Sequence, residues 1–222
     1  MGTSPDRRPA DKTKNTQIMN ASLNLHVLAQ GFLVTAGLIM AIGAQNAHVL
    51  RMGLTRQHVL VTIVICALSD ALLVGLGVMG MGIVLERFPL AVEVATWGGA
   101  AFLLWYGLRS LRSAFSSHAL TAAEARRVSL RDAVLLVLAF TYLNPHAWLD
   151  TIVLVGSIGG RHHGIDRLTF WFGSVLASAC WFVLLGYGAR WLAPLFAKPV
   201  SWRVLDALIG VSMGVLAVSL LR

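Results

Sequence analysis

Charge is what this sequence has least of. Only 13% of its 222 residues are Asp, Glu, Lys or Arg, where a soluble domain carries about a quarter. A folded chain with so few charges could not cover its own surface in water, so an ordinary soluble domain is excluded. Cysteine is scarce as well. Cys66 and Cys180 both lie inside apolar runs, where they read as small packing residues rather than a disulfide or redox pair. There is no H-E-x-x-H, and the one G-x-S-x-G, Gly210-Val211-Ser212-Met213-Gly214, lies inside an apolar run with no strand before it, which leaves a membrane-embedded enzyme without a recognisable metal site or nucleophile elbow. No cofactor or metal is expected.

What is present is apolar surface in long stretches. Hydrophobic residues make up 57% of the chain and mean hydropathy is +0.72. A bilayer-spanning helix needs about 20 mostly apolar residues, and such runs recur at Val27–Leu50, Val59–Leu85, Pro89–Leu108, Ala133–Ile158, Leu168–Ala189 and Val204–Leu221. The sequence therefore predicts an all-α integral membrane protein of about six transmembrane helices. Residues 25–222 form one transmembrane domain. Residues 1–24 are polar and basic, with Pro5 and Pro9, and read as a disordered tail. No small-residue cleavage site follows the first apolar run, so that run is expected to stay as a membrane segment. Met19 is an alternative start to Met1.

The net charge of +8 does not point to nucleic acid, because the basic residues sit in short segments between apolar runs and form no stripe. Their placement fits the positive-inside rule. With six spans, one side holds Arg51, Arg56, Arg109, Arg112, Arg126, Arg127, Arg131, Arg190, Lys198 and Arg203, ten in all. The other holds Arg87, Arg161, Arg167 and Arg222, with four more basic residues in the tail. That asymmetry places the long loop Arg109–Asp132 in the cytoplasm and both termini outside. The partners expected are the lipid bilayer, protons and a small cationic substrate; a homo-oligomer is left open.

The chain also shows a weak internal match. Aligning Asn46 with Asn144 sets Ala44-Gln45-Asn46-Ala47-His48 over Tyr142-Leu143-Asn144-Pro145-His146. Two three-helix units in tandem, about 27–109 and 131–221, would be oppositely oriented because three is odd. Inverted repeats of this kind are a recurring transporter architecture, with substrate held near the midplane between them.

Polar residues inside the spans are the candidates for function. Asp70 is the one charged residue between Val59 and Leu85, close to mid-bilayer, where a carboxylate costs about 3 kcal/mol on insertion scales. It is either a group neutralised or paired for packing, or a cation or proton site. Asn144-Pro145 reads as an N-cap followed by a favoured first helical residue, hence a helix break within a span, or alternatively as a proline kink. A true break would present free N–H groups and a positive helix end at membrane depth, suited to a carboxylate. Gly43-Ala44-Gln45-Asn46 offers a matching break with Asn46 as cap. Asp150 follows Asn144 by six residues, roughly 9 Å along and 120° around a helix, facing the same cavity from another level or a lipid interface. His48 and His146 are candidates for a proton path or hydrogen-bonded packing residues.

Other signals are set aside. Gly75-Leu76-Gly77-Val78-Met79-Gly80 matches G-x-G-x-x-G but lies within an apolar span with no strand before it. Close helix packing explains it better, as it does Gly210 and Gly214. His162-His163 reads as a solvated loop cluster, and Glu93 and Asp206 lie near span ends where solvation is cheap.

Three stretches together resemble the LysE/ArgO amino-acid exporter family: Ile42-Gly43-Ala44-Gln45-Asn46-Ala47, Ala67-Leu68-Ser69-Asp70-Ala71-Leu72, and Tyr142-Leu143-Asn144-Pro145-His146-Ala147-Trp148-Leu149-Asp150-Thr151. The likeness runs from about Leu25 to the end. It implies export of arginine and/or lysine across a bacterial plasma membrane, coupled to the proton gradient, with Asn46, Asp70 and Asp150 functionally critical. Many relatives have proline where this chain has Ala44. Export of a neutral amino acid or a metal cation is the alternative within the superfamily.

Overall fold

A computed structural model describes residues 9–40, 43–80, 89–115 and 128–221; for 9–23, 89, 91, 92, 95, 145 and 146 it describes the backbone alone. The helices are α1 Pro9–Ile39, α2 Ala44–Thr55, α3 Val59–Val78, α4 Pro89–Phe115, α5 Leu130–Tyr142, α6 Pro145–Trp148, a π-helical segment Leu149–Val155, α7 Gly156–Gly159, α8 Ile165–Leu192, the short 3-10 turn Leu195–Ala197 and α9 Pro199–Leu220. No strand occurs among the described residues.

Among the described residues, α3, α8 and α9 are each long and apolar enough to cross a membrane. Asn24–Ile39 and Ala44–Thr55, bent by 83° at the break between them, form a fourth candidate if taken as one span. The apolar runs predict six, and the difference has local causes. The third run lies within α4, whose 27 residues also carry Glu93, Arg109 and Arg112. The fourth is divided at Leu143-Asn144, so neither α5 nor the run from Pro145 is long enough alone. α1 begins at Pro9 and so takes in much of the segment that composition assigns to a disordered tail. A helix already formed over Asn24–Ile39 extends outward at one hydrogen bond per residue without a new nucleation cost.

Sequence periodicity sets which way the spans face. On α3, Leu60, Val64, Leu68 and Leu72 recur every four residues and are exposed, as lipid-facing side chains are, while Ile63, Cys66, Ser69, Asp70, Leu73 and Val74 point inward. Glycine brings the inward faces close. At Gly77 a Cβ would fall 2.7 Å from Ile152 Cα, and at Gly156 one would fall 2.6 Å from Gly77 Cα, so α3 crosses the π-helical segment backbone to backbone. Gly31 lies on the Phe170 carbonyl and Gly173 on that of Leu28, joining α1 to α8. Gly107 and Gly210 do the same for α4 and α9. The packing reading of Gly77 and Gly210 is thereby supported, whereas a Cβ at Gly214 would meet nothing within 4 Å.

α8 lies at the centre of the bundle, against α1, α2 and α3. α4 and α9 pack chiefly on each other. A core of Leu103, Tyr106, Phe140, Trp202, Leu205 and Met213 joins that pair to α2 and α5.

Candidate functional site

Asp70 lies on the inward face of α3, 6% exposed. Its Oδ2 accepts a 2.7 Å hydrogen bond from the Ser178 hydroxyl of α8. One turn along α8, Trp181 donates from Nε1 to Asn46 Oδ1 at 3.2 Å. Side chains three apart share a helix face, so α8 presents one donor to Asp70 and another to Asn46. Sequence reading missed both partners. Serine and tryptophan are ordinary in membrane helices, and only the spacing Ser174, Ser178, Trp181 on one face hints at a polar track.

Asn46 is not the cap of the helix it belongs to. Gly43, with extended backbone, occupies that position and α2 starts at Ala44. The Asn46 amide reaches back instead, donating from Nδ2 to the Ile39 carbonyl at 2.6 Å, so it satisfies an orphan carbonyl at the end of α1. The break in the first span therefore falls between Ile39 and Ala44, ahead of Asn46. At the second break the chain leaves the helix at Leu143 and Asn144, and a new helical run starts at Pro145. The buried Asn144 immediately precedes that run, and its carbonyl accepts from Ala147 N at 3.0 Å. The two Asn residues that align in sequence thus stand at different places relative to their breaks.

From Pro145 the helix runs on through the π-helical segment to Gly159. Asp150 lies half-buried in that segment. A π turn is a frequent companion of functional sites, and here it sits where Ile152 meets Gly77. The side chains of Pro145 and His146 lie outside the described residues, and with them the second half of the histidine pair.

α2 carries an unusual polar row, Gln45-Asn46-Ala47-His48. The Gln45 side chain is set beside Asp70 and Cys66, and the buried His48 ring beside the Ala133 backbone.

His48 also forms part of the lining of a cavity of about 870 Å³ between α2, α4, α5 and α9. This volume falls in the usual range for small-molecule sites. The lining includes neither Asn46, Asp70, Asn144 nor Asp150. It does include Asp206, which proximity to a span end marks as solvated in the sequence. The structure corrects this: Asp206 is 5% exposed. Its Oδ1 is paired with Arg51 Nη1 at 3.2 Å and its Oδ2 accepts from Ser113 Oγ at 2.6 Å. The reason is that α4 lies along the start of α9 and covers it. Glu93, by contrast, is exposed. Arg109 stands 5.8 Å from the centre of the Trp105 ring, a cation–π distance. In the loop before α8, His162 meets Gln30 Oε1 at 3.1 Å while His163 is exposed. No group of three or more metal-ligating side chains occurs among the described residues.

The sequence was compared with known proteins. A family model described as LysE type translocator matches residues 36–222. The chain is 43% identical over 199 residues to the arginine exporter protein ArgO of Yersinia enterocolitica, covering 89% of this chain and 97% of that protein. It is 43% identical over 197 residues to the protein of the same name from Serratia proteamaculans, covering 88% and 96%. With that of Salmonella enteritidis it shares 40% over 194 residues, 87% and 92%. No solved structure matches. The matched region takes in both breaks, Asp70, the π-helical segment and the cavity, so the site lies wholly within what is shared: this chain is a membrane protein of the LysE family of translocators.

Proposed function

We propose that this chain exports basic amino acids, L-arginine and/or L-lysine, from the cytoplasm across the bacterial inner membrane in exchange for protons. The observation that carries the reading is Asp70, a carboxylate enclosed within a span and hydrogen-bonded to Ser178. Its relatives bear the name arginine exporter, and a buried carboxylate is the natural counterpart of a guanidinium or ammonium group.

In this reading Asn46, Asp70, Asn144, Pro145 and Asp150 make up the substrate and proton site, with His48 and His146 on the proton path. The helix start at Pro145 takes the substrate carboxylate. Asp70, assisted by Asp150, takes either the cationic side chain or a proton. Because one carboxylate cannot hold both favourably, a proton arriving from outside displaces the cation. Six spans in two inverted units, 27–109 and 131–221, rock to expose the site alternately.

The test is efflux of labelled arginine and lysine from loaded vesicles or cells. Asp70→Asn, which keeps shape and loses charge, is expected to insert normally and lose nearly all efflux, while Asp70→Glu keeps some. Wild-type efflux in the Asn variant at matched protein level would leave Asp70 a structural residue.

A further inference from the structure

The cavity between α2, α4, α5 and α9 has a direction. It is built from the C-terminal ends of α2 and α4 and the N-terminal ends of α5 and α9. Together with the end of α8 and the connections that adjoin them, these ends carry ten of the basic residues, the side read as cytoplasmic. Arg109, Asp132 and Arg203 at its rim are exposed, whereas Asp206 and His48 are buried. An exporter's substrate arrives from that side.

Within this cavity the protein already makes the contacts a basic amino acid would make. Asp206 holds a guanidinium, that of Arg51. The Trp105 ring holds another, that of Arg109. Arg203 supplies cationic charge at the mouth for a carboxylate. At the base lies the buried His48, two residues from Asn46. Arg51 to Asp206 is also a charged tie between α2 and the α4–α9 pair, a pair whose other packing is mostly internal.

We infer that this cavity is an entry site distinct from the Asp70 site, in which Asp206 receives the cationic side chain of an incoming arginine or lysine in place of Arg51. The inference rests on the export reading above. Arg51 then acts as an internal stand-in for substrate: it keeps the buried carboxylate paired while the site is empty and swings aside when a competing cation enters. Replacement of one cation by another leaves Asp206 charge-compensated throughout, avoiding the cost of a buried unpaired charge.

The exchange predicts opposite effects from the two partners of one ion pair. Efflux is measured from vesicles over a range of internal arginine concentrations. Asp206→Asn is expected to raise the half-saturating concentration about tenfold, with the maximal rate changed by less than about threefold. Arg51→Gln, which removes the competitor, is expected to lower it. A tie that is merely structural would move both variants in the same direction, and that result overturns the inference. Should Asp206→Asn fail to reach the membrane, Ser110→Cys, with Cys66 and Cys180 replaced by Ser, reports on the same cavity. Its alkylation by a cationic thiol reagent is expected to slow in the presence of arginine and not of alanine; equal rates overturn the site. If the unmodified protein moves neither arginine nor lysine, the export reading falls and takes this one with it. Normal export with an unchanged Asp206→Asn half-saturation removes the entry site alone.

Discussion

The Ser178 hydroxyl points at Asp70, donating to its Oδ2 over 2.7 Å between two helices 108 positions apart in sequence. A donor aimed at a carboxylate fixes its orientation, so Ser178 positions Asp70 for a cation. Ser178→Ala is expected to insert and fold, because the site loses one oxygen and little volume. A hydrogen bond to a charged group contributes about 1.5–3 kcal/mol, and efflux should fall on the order of tenfold at matched protein level. Ser178→Thr should retain most of it. Unaltered transport in the Ala variant would show that the hydroxyl only satisfies the carboxylate.

Which of these residues could be read in the sequence follows from what each signal depends on. Asp70 was legible because a lone charge in an apolar run is costly whatever the tertiary structure. Ser178 and Trp181 were not, since both are unremarkable in a membrane helix until their partners are placed. Asp206 was misread because nearness to a span end implies water only if no other helix covers that end, and α4 does. The first break was foreseen in Gly43–Asn46, but its cap was assigned to asparagine on propensity alone. Gly43 takes that place instead, leaving Asn46 to bond backwards to Ile39. Apolar runs gave away the membrane class readily, because hydropathy sums along the chain. The number of continuous spans depends on where those runs break, which Leu143-Asn144 decides.

The crossing of α3 over the π-helical segment leaves no room for a side chain. A methyl group at Gly77 would press on the backbone of Ile152, which cannot turn away as a flexible side chain could. Overpacking of this kind costs about 1–3 kcal/mol. Gly77→Ala is therefore expected to lower the melting temperature of the purified protein in detergent and reduce its yield. Gly214→Ala, where a Cβ meets nothing within 4 Å, should do neither. Equal melting for the two would show that the helices separate freely at this point.

Orientation can be checked independently of transport. The ten basic residues on one side against four on the other predict the Arg109–Asp132 loop inside and residue 222 outside. Reporter fusions or cysteine labelling after Ser117 and at the C-terminus decide it. A periplasmic signal at Ser117 would invert the assignment, and with it the side from which the α2–α4–α5–α9 cavity opens.

Asn144 separates a binding site from a bend. The helical run that starts at Pro145 has its dipole positive at that end; Pro145 carries no N–H and Ala147 N bonds to the Asn144 carbonyl, so the dipole and the His146 amide are what the first turn offers an anion. If the break matters only for the shape of the bundle, proline is the important residue, and Asn144→Ala should cost about 1 kcal/mol of capping stability and leave substrate affinity alone. If the helix start holds the substrate carboxylate, loss of Asn144 disturbs the turn that binds it, and the half-saturating arginine concentration should rise about tenfold while protein still reaches the membrane. The same geometry makes a claim about ligands. Agmatine keeps the guanidinium of arginine and lacks its carboxylate, so it should compete poorly for efflux from loaded vesicles even though Asp70 could still pair with it. Agmatine competing as well as arginine, together with unchanged affinity in Asn144→Ala, would remove the helix start from the site and leave the carboxylate of the substrate to be held elsewhere.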